Sequence, residues 1–164
     1  MERCNKIILN CDYQSYLQKT RDEEDIRPFC HHHFEHLLAV ARLTYILLLE
    51  EGSPFISREI AYGAGLLHDI GRWLEYRDKQ DHAEAGAKLA EPILKEAGYT
   101  VSERILIQKA IAQHRDNNDQ GMHRSPLSKA LSKADSLSRL CFLCDASENC
   151  NKFEQQPHKG RLCY

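Results

Sequence analysis

Nine histidines stand among 164 residues, and their positions carry more information than their number. His36 precedes Val40, Leu43 and Leu47 at helical spacing. His68 follows Ile60 and Ala64, with Asp69 beside it. His82 precedes Gly86, Leu89 and Ile93; His114 follows Ile107 and Ala110; Asp135 follows Leu127 and Leu131. Residues three and four apart share a helix face, so each of these apolar stripes turns an imidazole or a carboxylate toward the interior. One histidine on such a face is ordinarily a hydrogen-bonded core residue, and one aspartate ordinarily finds an arginine. Five stripes doing the same thing point to one internal metal site assembled from facing helices, because a buried carboxylate is costly unless it is paired or binds a metal. The donor set of imidazoles and carboxylates suits Fe, Mn, Zn or Ni, and no thiolate belongs to it. His68 and Asp69 lie about 100° apart on an ideal helix. Together they serve a helix end that faces the site, or one metal plus a bridge to a second.

The elements that must carry these residues are helical. The stripe through Val40, Leu43 and Leu47 predicts a helix over about 27–51, ended by Gly52. Ser57 caps a second helix that reaches about His68. A third runs over 81–97 and is stopped by Gly98. Thr100 and Glu103 form a capping box for a fourth, and Ser125-Pro126 opens a fifth, with proline at its first position. A further helix is expected around 12–19. No strand pattern, repeat or low-complexity linker is present. The expected fold class is all-α, a single domain of five or more helices over 27–140. A helical segment, 1–26, precedes it, and a short cysteine-rich extension, 141–164, follows.

Composition narrows the partners. Twenty-two basic and 24 acidic residues give a net charge of −2, with 42% hydrophobic and 28% charged residues. A near-neutral chain has no general electrostatic footprint for nucleic acid or for an anionic membrane. No run approaches the ~18 apolar residues of a membrane helix, and the start lacks the long apolar centre of a signal peptide. The expectation is a cytoplasmic protein whose seven cysteines are free thiols or metal ligands rather than disulfides. Cys141-x2-Cys144-x5-Cys150 has a spacing that could begin a zinc or iron–sulfur site, with Cys163, His158 or Cys30 as the fourth ligand. On spacing alone the plainer alternative is preferred: Cys141 and Cys144 continue the last helix as small core residues.

The order His36, His68-Asp69, Asp135 resembles the HD-domain superfamily of metal-dependent phosphohydrolases. HLLAVA at 36–41 is similar to the family's first histidine with its apolar run. AGLLHDIGR at 64–72 is similar to its central motif, and SKADSL at 132–137 to the segment with its last aspartate. The resemblance covers about 28–140. It implies an all-α fold in which His36, His68, Asp69 and Asp135 hold one metal. His82 and His114 match, in order, the two extra histidines of members with a second metal, and Asp69 would then bridge the ions.

The resemblance also implies a small phosphorylated substrate, with nucleotides the leading class. Two cations can clamp an in-line phosphoryl displacement, with Asp69 at their centre. Arg72, one turn after His68, and Arg115, next to His114, are the candidates to hold phosphate oxygens. In the run 31–33, His32 lies one turn before His36 and is a candidate supporting or substrate-facing group. The loops 77–81 and 115–124 are candidates to wall the pocket. Two other readings share the ligand set. Myo-inositol oxygenase and a phosphonate-cleaving oxygenase, which resemble this family, use it to hold two irons, and a metal-stabilised domain could sense a nucleotide without turnover. Hydrolysis ranks first because it is the commoner outcome in the superfamily.

Overall fold

The computed structural model describes residues 1–115, 124–150, 153 and 164. Eight α-helices are present among them: α1 (Glu2–Leu9), α2 (Cys11–Glu24), α3 (Phe34–Glu50), α4 (Arg58–Leu67), α5 (Arg72–Asp78), α6 (His82–Glu96), α7 (Val101–Ala112) and α8 (Pro126–Leu137). Two 3-10 turns, Cys141–Leu143 and Ser147–Asn149, follow. The protein is all-α. No helix among the described residues is long and apolar enough to cross a membrane.

Local chemistry starts the helices where the sequence places them. Ser57 Oγ accepts from the Ile60 N–H at 3.3 Å. Asp81 Oδ1 accepts from the N–H groups of Ala83 and Glu84 at 2.8 and 3.1 Å. Thr100 and Glu103 exchange both bonds of a capping box. Ser125 Oγ accepts from the Ser128 N–H at 3.1 Å, with Pro126 at the first helical position. Each cap satisfies N–H groups that have no partner within the helix.

Three boundaries differ from the sequence-based expectation. α3 begins at Phe34 rather than near 27, because Pro28 has no N–H to give and disfavours helical backbone at Arg27. Near the N-terminus two helices form, and α2 is longer than expected, capped by Asn10 on the Tyr13 N–H at 3.1 Å. α5 occupies a stretch, RWLEYRD, with no apolar stripe. Tertiary contact holds it: Trp73 stacks on Tyr16 of α2 with centroids 6.2 Å apart, and Lys79 ends it in the left-handed region at φ 58°.

α3 packs most extensively against α4 and α8, and α6 against α7. α4 lies at the centre, touching α1, α3, α6, α7 and α8. Ile7, Leu37, Leu47, Ile70, Ile107 and Leu131 close onto one buried cluster. α1 and α2 share that core through Ile7 and Tyr13. Two glycines set the closest approaches. A Cβ on Gly65 would stand 2.3 Å from the Ala41 Cα, and one on Gly71 would stand 2.5 Å from the His82 carbonyl oxygen. The first contact brings α3 against α4, and the second brings the start of α6 against the turn after α4.

Gly65→Ala should therefore force α3 and α4 apart. We expect a loss of at least about 1–3 kcal/mol, the usual cost of overpacking an interior, measured by urea unfolding. An unchanged unfolding midpoint would contradict this packing.

Candidate metal centre

The candidate ligands come from helix ends. His36 lies in the first turn of α3, and His82 is the first residue of α6. His68 is the C-terminal cap of α4, with Asp69 next in the turn to α5. His114 follows the cap of α7, and Asp135 is in the last turn of α8. Helix ends are separated by loops, so residues far apart in sequence can be brought to one point.

Two groups of ligand atoms form there, each with its members within 4.8 Å of one another: His36, His68, Asp69 and Asp135, and then Asp69, His82 and His114. Asp69 belongs to both, and its two oxygens face different ways. Oδ2 lies 3.2 Å from His68 Nε2 and 3.7 Å from His36 Nε2. Oδ1 lies 3.2 Å from His82 Nε2 and 3.7 Å from His114 Nε2. Asp135 Oδ1 completes the first group at 3.2 Å from His36 Nε2 and 3.8 Å from His68 Nε2.

The imidazoles are oriented from behind. His68 Nδ1 donates to the Gly65 carbonyl at 2.8 Å, and His114 Nδ1 to the Ile111 carbonyl at 2.7 Å. His82 Nδ1 meets Glu75 Oε2 at 2.5 Å. Ser138 gives its own proton to the Asp135 carbonyl and lies 3.2 Å from His36 Nδ1, so it accepts there. A carbonyl or carboxylate can only accept, so Nδ1 carries a proton and each Nε2 is the nitrogen left facing inward, able to bind a cation once any proton it holds is released.

The donor atoms fit a cation. Both Asp69 oxygens and His68 Nε2 are buried and make no hydrogen bond, a costly state for polar groups without a charge partner. Burial alone would raise the Asp69 carboxyl. Arg72, His68 and His32 outweigh it and hold the group well below the usual carboxylate range. Asp135 behaves likewise, with burial outweighed by Arg139, His36 and His68. Burial would lower His68, yet Asp69 and Asp135 push it up to about 10. So much negative charge in a dry site calls for a positive partner, and the inward Nε2 atoms define where one would bind.

Of the groups expected to contact phosphate, Arg72 reaches the centre. Its Nη2 is 3.2 Å from Asp69 Oδ1 and its Nη1 2.8 Å from Glu75 Oε2. Arg115 lies on the rim, 45% exposed, bound to Glu75 and Asp81 at 3.1 and 3.0 Å. It touches none of the ligand atoms through those contacts. His32 is buried beside the centre, with Nε2 3.8 Å from Asp69 Oδ2. It sits in the connection before α3 rather than on the helix. His31 is exposed, and His33 stands at the cap position of α3. Residues 116–123 of the second wall loop, and His158 and Cys163, lie outside the described residues.

Sequence reasoning missed four groups that shape the site. Glu75 orients His82, and Arg139 pairs with Asp135 Oδ1 at 3.0 Å. Their spacing from Arg72 and Asp135, one helical turn in each case, was the available signal. Glu24 and Tyr76 gave none. The Glu24 carboxylate is fully buried; it accepts from the His32 N–H at 2.7 Å, from the His32 ring and from the Tyr76 hydroxyl at 2.7 Å. Burial would raise Glu24, but these donors bring it down to about 2.

A family model described as HD domain matches residues 33–140. A functionally uncharacterised protein of Clostridium beijerinckii is 34% identical over 151 residues, 92% of each chain. Ribonuclease Y of Enterococcus faecalis is 35% identical over 103 residues, 63% of this chain and 17% of that enzyme. The crystal structure of a predicted HD superfamily hydrolase from an uncultured Thermotogales bacterium superposes with a TM-score of 0.56 and 28% identity. The match covers 76% of this chain and 66% of that one.

Glu24 supplies a stability test. Its folded value of about 2 lies below the ordinary 4.5, so its contribution is complete above pH 4.5 and is lost as pH falls toward 2. Glu24→Gln should be less stable at pH 7, by a few kcal/mol at most given about 1.36 kcal/mol per pKa unit. Its stability should also fall less steeply over that acid window. Urea unfolding at a series of pH values checks this, and parallel profiles for the two proteins would refute it.

Proposed function

The chain belongs to the HD-domain family of metal-dependent phosphohydrolases, and on that premise we propose that it hydrolyses a phosphate ester of a small nucleotide at the shared histidine–aspartate centre. The observation that carries this reading is the Asp69 carboxylate, whose two oxygens face two separate donor groups. His36, His68, Asp69 and Asp135 would hold one metal ion, and Asp69, His82 and His114 a second. When bound, such ions supply Lewis acidity and bring the pKa of a bound water toward neutrality.

The chain's own residues do the rest. The helix ends fix the donors, and burial excludes bulk water from His68, Asp69 and His82. Arg72 and Arg139 set guanidinium groups beside Asp69 and Asp135. From there they can donate to phosphoryl oxygens as charge develops on them. His32 commits Nδ1 to Glu24 and leaves Nε2 facing the centre, where it can accept a hydrogen bond from the attacking water. Burial holds its ring down to about 4, against the pull of Asp69 and Glu24, so it stays neutral at pH 7. Arg115 on the rim is suited to an outlying part of the substrate.

The likeness to ribonuclease Y supports an ester of the nucleotide class. A net charge of −2 favours a small nucleotide over a long polyanion, which a basic surface would be needed to hold. The iron-dependent oxygenase reading finds no specific support in the geometry.

The test is metal content followed by release of phosphate or nucleoside from a panel of nucleotides. Asp69→Ala should lose metal from both groups and lower turnover by more than about 10²–10³-fold, the scale of removing one preorganised electrostatic group. An Asp69→Ala protein with normal turnover, or turnover that consumes oxygen and leaves phosphate esters intact, would sink the proposal. Glu75→Gln should weaken metal binding at the His82 and His114 group by about 10–100-fold, as expected when the partner of a ligating histidine is altered. Titration calorimetry with the apoprotein measures it.

A further inference from the structure

α2 ends in Glu24, a carboxylate fully buried beside the connection that carries His32. Its Oε2 accepts from the His32 backbone N–H at 2.7 Å. Its Oε1 accepts from the His32 ring at Nδ1 and from the Tyr76 hydroxyl at 2.7 Å. The same hydroxyl lies 3.3 Å from His32 Nδ1. Arg27 covers the Tyr76 ring, 4.5 Å from its centroid, and stands 3.9 Å from Glu24 Oε1. The opposite edge of the His32 ring turns inward. Its Nε2 is 3.8 Å from Asp69 Oδ2, the oxygen that also faces His68 and His36.

A carboxylate can only accept, so the His32 backbone, the His32 ring and Tyr76 all donate to Glu24. The backbone contact fixes where the imidazole starts. The ring contact fixes how it is turned and which nitrogen carries the proton. A neutral ring with its proton on Nδ1 presents a lone pair at Nε2. His32 belongs to neither set of donors gathered within 4.8 Å, so it is placed to meet what the ions bind rather than the ions themselves.

We propose that Glu24 and Tyr76 are positioning residues of the active centre, acting through His32 by holding its Nε2 lone pair toward Asp69. The inference rests on the phosphohydrolase reading and extends the working unit to α2, outside the matched residues 33–140. Glu24→Gln separates this role from packing, because a carboxamide has one acceptor oxygen and an NH2 donor. The NH2 must replace one Glu24 oxygen. Opposite the His32 backbone N–H, it sets two donors against each other. Opposite the ring, it can donate to Nδ1 once the ring proton moves to Nε2. The variant should therefore hold the other tautomer, and offer the attacking water a donor where the wild type offers an acceptor.

The test uses the full zinc-loaded chain with nitrogen-15 in its histidines, the His32 signals being assigned by their loss in His32→Gln. The expected spectra show Nε2 bare in the wild type and Nδ1 bare in Glu24→Gln, with equal metal content. Turnover is compared below the unfolding transition of each protein. In Glu24→Gln kcat should fall about 10²–10⁴-fold with KM unchanged, and Glu24→Asp should recover at least about tenfold of that loss. Glu23→Gln, at a residue that pairs with Arg77 at 3.0 Å instead, should match the wild type. If Glu24→Gln does not fold, Tyr76→Phe decides: the loss of one hydrogen bond should lower kcat about 3–10-fold at unchanged KM and metal content. A protonated Nε2 in the wild type, an unchanged tautomer or lost metal in Glu24→Gln, or wild-type kcat in Tyr76→Phe would overturn the inference and leave the phosphohydrolase reading standing. A wild type that hydrolyses no ester in the nucleotide panel sinks that reading instead, and the ring spectra then decide the inference alone.

Discussion

A carboxylate buried on all sides, with no hydrogen bond to either oxygen, dominates the interior of this protein. Asp69 cannot be tolerated there unless positive charge reaches it. Arg72 supplies part of that charge directly. The rest of the demand falls on two sets of imidazole nitrogens, one on each oxygen. This division of a single side chain between two donor groups determines where α3, α4, α6, α7 and α8 must end. Each brings its ligand from a terminus, and α3 and α6 approach with their N-terminal ends, where the backbone dipole favours a negative neighbour.

Precision comes from backbone as much as from side chains. Gly65 lets α3 lie close on α4, and its carbonyl also orients His68. Gly71 lets the start of α6 meet the turn that carries Asp69. The Ile111 carbonyl and the Glu75 carboxylate do the same orienting work for His114 and His82. A metal site built this way would resist distortion, because each histidine is held at two points: its Nε2 toward the centre and its Nδ1 against a fixed partner.

The N-terminal helices tie a remote part of the chain to this core. Glu24, at the end of α2, is buried against His32 and Tyr76, so an element outside the family's matched span shapes the edge of the site. Arg139, just past the end of α8, makes the corresponding connection at the other end, donating to Asp135.

The sequence by itself determined the helical class, the caps at Ser57, Asp81, Thr100 and Ser125, and the grouping of His36, His68, Asp69, His82, His114 and Asp135. These are local or periodic properties: a cap needs only its next three residues, and an apolar stripe shows which side chains turn inward. Tertiary structure decided what no local pattern encodes. α5 lacks a stripe and exists because Trp73 finds Tyr16. Arg72 and Arg115 each stand near a ligand in sequence, with Arg72 the first candidate, but only packing shows that Arg115 turns to Glu75 and Asp81 on the rim while Arg72 lies inside. Glu24 reads as one more acid on a charged helix until packing buries it beside His32. Periodicity gives the direction of a side chain relative to its own helix, whereas partnership across helices depends on distances that exist only once the helices have packed.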